Sequence, residues 1–69
     1  MAEVSVLCDR EGRTLTVWFD RHQEHISEET GDEVVLMKDA AGHVIGFEKL
    51  NFSIPEADRL RVALETTPA

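Results

Sequence analysis

Apolar and polar residues alternate along the first part of the chain, and that alternation predicts strands. In Glu3-Val4-Ser5-Val6-Leu7-Cys8, Val4, Val6 and Cys8 fall on one face of a strand over about 3–8, because successive residues of an extended chain point to opposite sides. Asp9-Arg10-Glu11-Gly12 reads as a turn, with Gly12 expected to supply a positive φ. Thr14-Leu15-Thr16-Val17-Trp18-Phe19 is dense in β-branched and aromatic residues and predicts the return strand over about 14–19. Leu15, Val17 and Phe19 share one of its faces; Thr14, Thr16 and Trp18 share the other. Residues 20–33 break the pattern, with Ile26 their one large apolar residue, and read as an acidic loop or ragged edge. The run Val34-Val35-Leu36-Met37 opens a third strand over about 33–38. Asp39-Ala40-Ala41-Gly42 is a turn with Gly42 at the left-handed position, and the return strand covers about 43–50. Gly46 inside that strand points to a bulge or a close neighbour.

The last segment carries helix signals. Ser53 and Glu56 have capping-box spacing, Pro55 sits where a missing N–H costs nothing, and Ala57, Leu60, Ala63 and Leu64 form a stripe. A helix over about 54–65 is expected. At roughly 11 residues it would be marginal alone, so it must dock on the sheet. The fold class expected is α+β, a four-stranded antiparallel meander with one C-terminal helix packed on one face. It forms a single small domain over 1–69.

Charge changes this picture more than composition does. Hydrophobic residues at 42% and charged residues at 30% are ordinary for a soluble domain, whereas 14 acidic against 7 basic side chains leave a net charge of −7. Residues 20–33 hold six acids against Arg21 alone, five of those seven net charges. Such a surface disfavours nucleic acid, which needs clustered Lys and Arg, and suits a basic protein partner. One cysteine excludes a disulfide framework. No apolar run approaches the ~20 residues of a membrane span, and the basic start of a signal peptide is missing, so a cytoplasmic, membrane-free protein is expected.

Several segments together match a known pattern. Asp9…Thr14-Leu15-Thr16-Val17, Ile26-Ser27-Glu28-Glu29 and Val34-Val35-Leu36…Asp39…Gly42-His43-Val44-Ile45-Gly46-Phe47-Glu48-Lys49-Leu50 resemble the YuzE-like family of small bacterial proteins. That family is a domain of unknown function, and the resemblance covers about residues 5–52. Its last strand reads G-x-[VI]-[VI]-G-[IF]-E-x-[LI], which Gly42 to Leu50 follows throughout. Three positions depart: Cys8, before Asp9, replaces the aromatic of an aromatic–Asp pair, and Met37 and Ala41 stand where acids are frequent. The resemblance implies at best an antitoxin-like binding role, since some members look like one half of small two-gene modules.

The chemistry-bearing groups are sparse. His22-Gln23-Glu24-His25, with Glu28, is the most metal-like string, but it lacks helical periodicity and a partner at ligand spacing. Solvated acids with incidental histidines are the stronger reading, so neither a metal nor a cofactor is expected. Cys8 belongs with Val4 and Val6 as a packing residue rather than a nucleophile. Asp39 and Glu48 lie at opposite ends of the second hairpin, too far apart for paired acid–base work, and Glu48 is expected to meet a cross-strand Lys or Thr. No catalytic residue is expected. If the helix covers Leu15, Val17 and Phe19, Trp18 lies on the bare side near Met37, a pairing typical of interfaces. The function expected is a non-enzymatic protein-interaction module, in its finer form an antitoxin-like neutraliser of a basic partner, with a homodimer as the other partner expected. Trp18 and Met37 would give contact area, and Glu24, Glu28, Glu29 and Asp32 would steer. The alternative is a small-ligand or metal-binding module using the acidic and histidine segment 22–29.

Overall fold

The computed structural model describes residues 3–20 and 24–68. They form one antiparallel sheet of five strands: β1 (Ser5–Asp9), β2 (Thr14–Trp18), β3 (Ile26–Glu29), β4 (Val34–Lys38) and β5 (Val44–Lys49). The order across the sheet is β1-β2-β5-β4-β3. β3, β4 and β5 form a meander, and β2, which precedes them, lies beside β5, as in a Greek key.

Both expected hairpins form. The β1–β2 register pairs Val6 with Val17 and Cys8 with Leu15, and the β2–β5 register pairs Val17 with Phe47 and Thr16 with Glu48. Paired residues share a face, so the register sorts the side chains. One face carries Val6, Cys8, Leu15, Val17, Phe47, Leu36 and Val34, together with Lys49, Lys38, Ile26 and Glu28. The other carries Leu7, Thr14, Thr16, Trp18, Gly46, Glu48, Val35, Met37, Ser27 and Glu29. Phe19 continues the first face, its ring tilted against Phe47 at 5.8 Å.

Gly46 shows both features that its position suggests. The β4–β5 register shifts between Met37 and Lys38, since Met37 faces Gly46 while Lys38 faces Val44, leaving Ile45 as the extra residue of a bulge. A methyl group at Gly46 would also lie 2.6 Å from the Val17 carbonyl oxygen.

The turns are held by side chains. Asp39 accepts from the backbone N–H groups of Ala41 (3.0 Å) and His43 (2.9 Å), and Gly42 takes φ 86° as expected. Gly12 does not have a positive φ; Arg13 does, at 55°. Gly12 is instead pressed against Asp9, whose Oδ1 accepts its N–H at 3.0 Å. In the β3–β4 turn, Thr30 donates its hydroxyl to the Val34 carbonyl and accepts the Asp32 N–H.

The expected α+β fold does not form. The described residues contain no helix, and the fold is all-β with five strands rather than four. The fifth is β3, inside the stretch read as an acidic loop. A single apolar residue hid it, because an edge strand lying wholly in water needs no apolar stripe; all four of its residues are exposed. The capping-box segment, about 54–65, shows instead a single turn closed by the Asp58 N–H on the Pro55 carbonyl. Arg10 takes the Glu56 and Asp58 carbonyls with its guanidinium, at 3.4 and 2.6 Å. A cap and a stripe are local signals, and a helix this short is marginal unless its stripe is buried, which this segment does not achieve. Residues 55–68 are exposed throughout.

Candidate functional site

Without the helix, neither face of the sheet carries a second layer among the described residues. The apolar face that was to be covered is the open one. Val6 is 40% exposed, Phe19 50% and Ile26 68%, while Leu15, Val17, Leu36 and Phe47 are half-buried. Among the described residues, cover reaches this face near the β1–β2 turn. There Phe52 and Ile54 follow β5 and line, with Cys8, Arg10, Arg13 and Glu56, a cleft of about 460 Å³. The Phe52 N–H donates to the Arg13 carbonyl at 2.9 Å. Cys8 therefore sits on its expected face but half-buried, between guanidinium and carboxylate groups of both signs.

Trp18 and Met37 do come together, on the opposite face. Both lie over Gly46, where a methyl group would meet Trp18 Cε3 at 3.0 Å and Met37 Cε at 3.2 Å. Met37 is buried, at 4% exposure, and flanks Gly46 on the side away from Trp18. Trp18 is half-buried, with the His25 ring edge-on to it at 5.1 Å. The His25 ring thus borders part of the indole. Beside them the Thr16 hydroxyl donates to Glu48 Oε2 at 3.4 Å, so Glu48 meets a cross-strand threonine.

The acidic residues are spread along one edge. Glu24 precedes β3 and is exposed; Glu28 and Glu29 lie on β3, facing opposite sides of the sheet; Asp32 and Glu33 occupy the turn after it. Glu28 is paired with Lys38. Glu33 accepts from Lys49 Nζ at 3.1 Å and from the Asn51 amide at 3.1 Å, which hold its carboxyl below the usual range, the Lys49 hydrogen bond contributing most. Asp39 is held low by the backbone N–H of His43 first, then by that of Ala41. His43 points to solvent, its side chain 79% exposed, with Nδ1 3.5 Å from Asp39.

No group of three or more His, Cys, Asp or Glu side chains among the described residues is placed to hold an ion. His22 lies outside the described residues, and His25 is occupied with Trp18. No helix among the described residues is long and apolar enough to cross a membrane.

Sequence reasoning missed which face is open, the strand within the acidic stretch, and the role of Arg10. The alternation in Thr14–Phe19 did separate the faces; what covers each is a tertiary property that alternation does not carry. No curated protein and no solved structure matches the chain. Residues 9–53, which run from the first turn through all of β2–β5, match the family described as a protein of unknown function, DUF2283, and the chain belongs to that family.

Proposed function

We propose that this protein is a non-enzymatic interaction module that meets a basic protein segment along its β3 edge. One observation carries the reading: β3 is an edge strand, exposed at all four residues, with Glu24, Glu28, Glu29, Asp32 and Glu33 along it and its flanks. An edge strand offers N–H and C=O groups that a partner's extended segment pairs with, and basic side chains on that segment would meet Glu28 on one face and Glu29 on the other. Trp18 shares the face of Glu29, so its indole, with Met37 across Gly46 and His25 at its border, adds apolar contact beside the charged edge.

The finer readings rest on this one. The fit of Gly42 to Leu50 supports placing the chain in the YuzE-like group of small bacterial proteins. An antitoxin-like role would have the acidic edge occlude the basic surface of its partner. The metal- or ligand-binding alternative has no supporting observation and is set aside.

The test is affinity capture from lysate, followed by association kinetics with the captured protein. The Glu24→Lys/Glu29→Lys variant leaves the Glu28–Lys38 pair intact. It should lower the on-rate about tenfold with little change in off-rate, and added salt should narrow the difference. Equal on-rates for variant and wild type at low salt would refute the edge reading.

A further inference from the structure

The apolar face of the sheet has no second layer among the described residues. We propose that a second copy of the same chain covers it, giving a two-layer β-sandwich with one five-stranded sheet from each protomer. Val6, Leu15, Val17, Phe19, Leu36 and Phe47 form a contiguous apolar field across four of the five strands. Sheets with one apolar face are stable in water when that face packs on another layer, and two such faces stack about 10 Å apart. Within one chain that layer is missing: the buried hydrophobic residues are Met37 and Ile45 alone among those described.

Charge selects the occupant. The chain carries −7, so two copies repel across most of their surface. Charges of both signs meet at the borders of the apolar face: Lys38 pairs with Glu28, Lys49 pairs with Glu33, and the cleft by the β1–β2 turn is lined by Arg10 and Arg13 together with Glu11 and Glu56. A face with balanced charge is where two acidic copies approach at least cost, and it holds no surplus of carboxylates to attract a strongly basic partner. A twofold contact sets one patch against itself, which an apolar centre with balanced borders satisfies. The acidic β3 edge stays at the rim of such a sandwich, so the contact goes beyond the edge reading and does not depend on it.

Sedimentation velocity of the full chain over a dilution series tests the proposal. Wild type should pass from monomer to dimer. Phe19→Glu, which sets a charge in the proposed contact, should raise the dimer dissociation constant about 100-fold. Leu7→Glu, on the opposite face and 63% exposed, should leave it unchanged. Should Phe19→Glu fail to fold, isotope-filtered NOE spectra of mixed labelled and unlabelled wild type decide the matter. Cross-peaks between copies linking Val6, Val17 and Leu36 methyls to the Phe47 ring are expected. The proposal is overturned by a wild type that stays monomeric at its solubility limit, or by a folded Phe19→Glu that dimerises as wild type does. It is equally overturned if the intermolecular cross-peaks lie elsewhere, or if Leu60, Val62 and Leu64 of the same chain fill the face.

Discussion

Gly46 shows how one residue constrains the sheet. Beyond hydrogen, its side-chain position is taken by the Val17 carbonyl oxygen, the Trp18 ring and the Met37 methyl, at 2.6, 3.0 and 3.2 Å from where a methyl carbon would sit. The last two belong to side chains that can shift a little, whereas the first is backbone of the neighbouring strand. Gly46→Ala is therefore expected to cost about 1–3 kcal/mol in urea unfolding, as overpacking does. An unchanged midpoint would show that the strands separate freely there. Two carboxyls set the response to acid. Asp39 and Glu33 bind protons less readily in the fold than in the unfolded chain, because backbone N–H groups hold the first, and Lys49 with Asn51 the second, in the ionised form. The unfolded chain then takes up more protons as pH drops, so their stabilisation is complete at neutral pH and lost as pH falls through the carboxylate range. Between about pH 6 and about pH 3 the urea midpoint of wild type should fall more steeply than that of Asp39→Asn/Glu33→Gln. Parallel slopes would contradict this.

At the scale of elements, legibility followed how local each signal was. The β1–β2 and β4–β5 hairpins were readable because alternation and turn residues lie in neighbouring sequence, and Gly42 takes the backbone conformation expected of it. Gly12 failed that test since its constraint is contact with Asp9, which spacing alone does not reveal. β3 was hidden because pairing with β4, rather than its own Ile26-Ser27-Glu28-Glu29, makes it a strand. The C-terminal helix was misread for the opposite reason: Ser53, Glu56 and the Leu60 stripe are local signals, and in the fold residues 55–68 stay exposed and do not bury that stripe against the sheet. Leu60 illustrates the consequence. A docked helix would lose several kcal/mol on Leu60→Ala. In an exposed tail the same substitution should change unfolding free energy by less than about 0.5 kcal/mol. A loss above about 2 kcal/mol would mean that the tail packs on the sheet. Hydrogen exchange gives a second reading: the amides of β2, β4 and β5 should be protected and those of residues 60–66 not.

The whole molecule is a single sheet with its charge and its apolar surface in different places. Five acids line the β3 edge and its flanks, while a contiguous apolar field from Val6 to Leu36 lies on one face, and each surface suits a different contact. The candidate contact residues were readable from the sequence one at a time, as acids in a run or as Trp18 beside Met37. Their arrangement was not, because it depends on which face remains bare. The open face is the claim on which the dimer reading turns, and its methyl groups report it directly. Solvent paramagnetic relaxation, measured with a soluble gadolinium chelate on methyl-labelled protein, reads the approach of water to each side chain. In dilute protein the Val6, Val17 and Leu36 methyls should relax much faster than that of Met37, and the contrast should shrink as concentration rises and the face is covered. Protection of Val6, Val17 and Leu36 equal to that of Met37 at the lowest concentration would contradict an open apolar face.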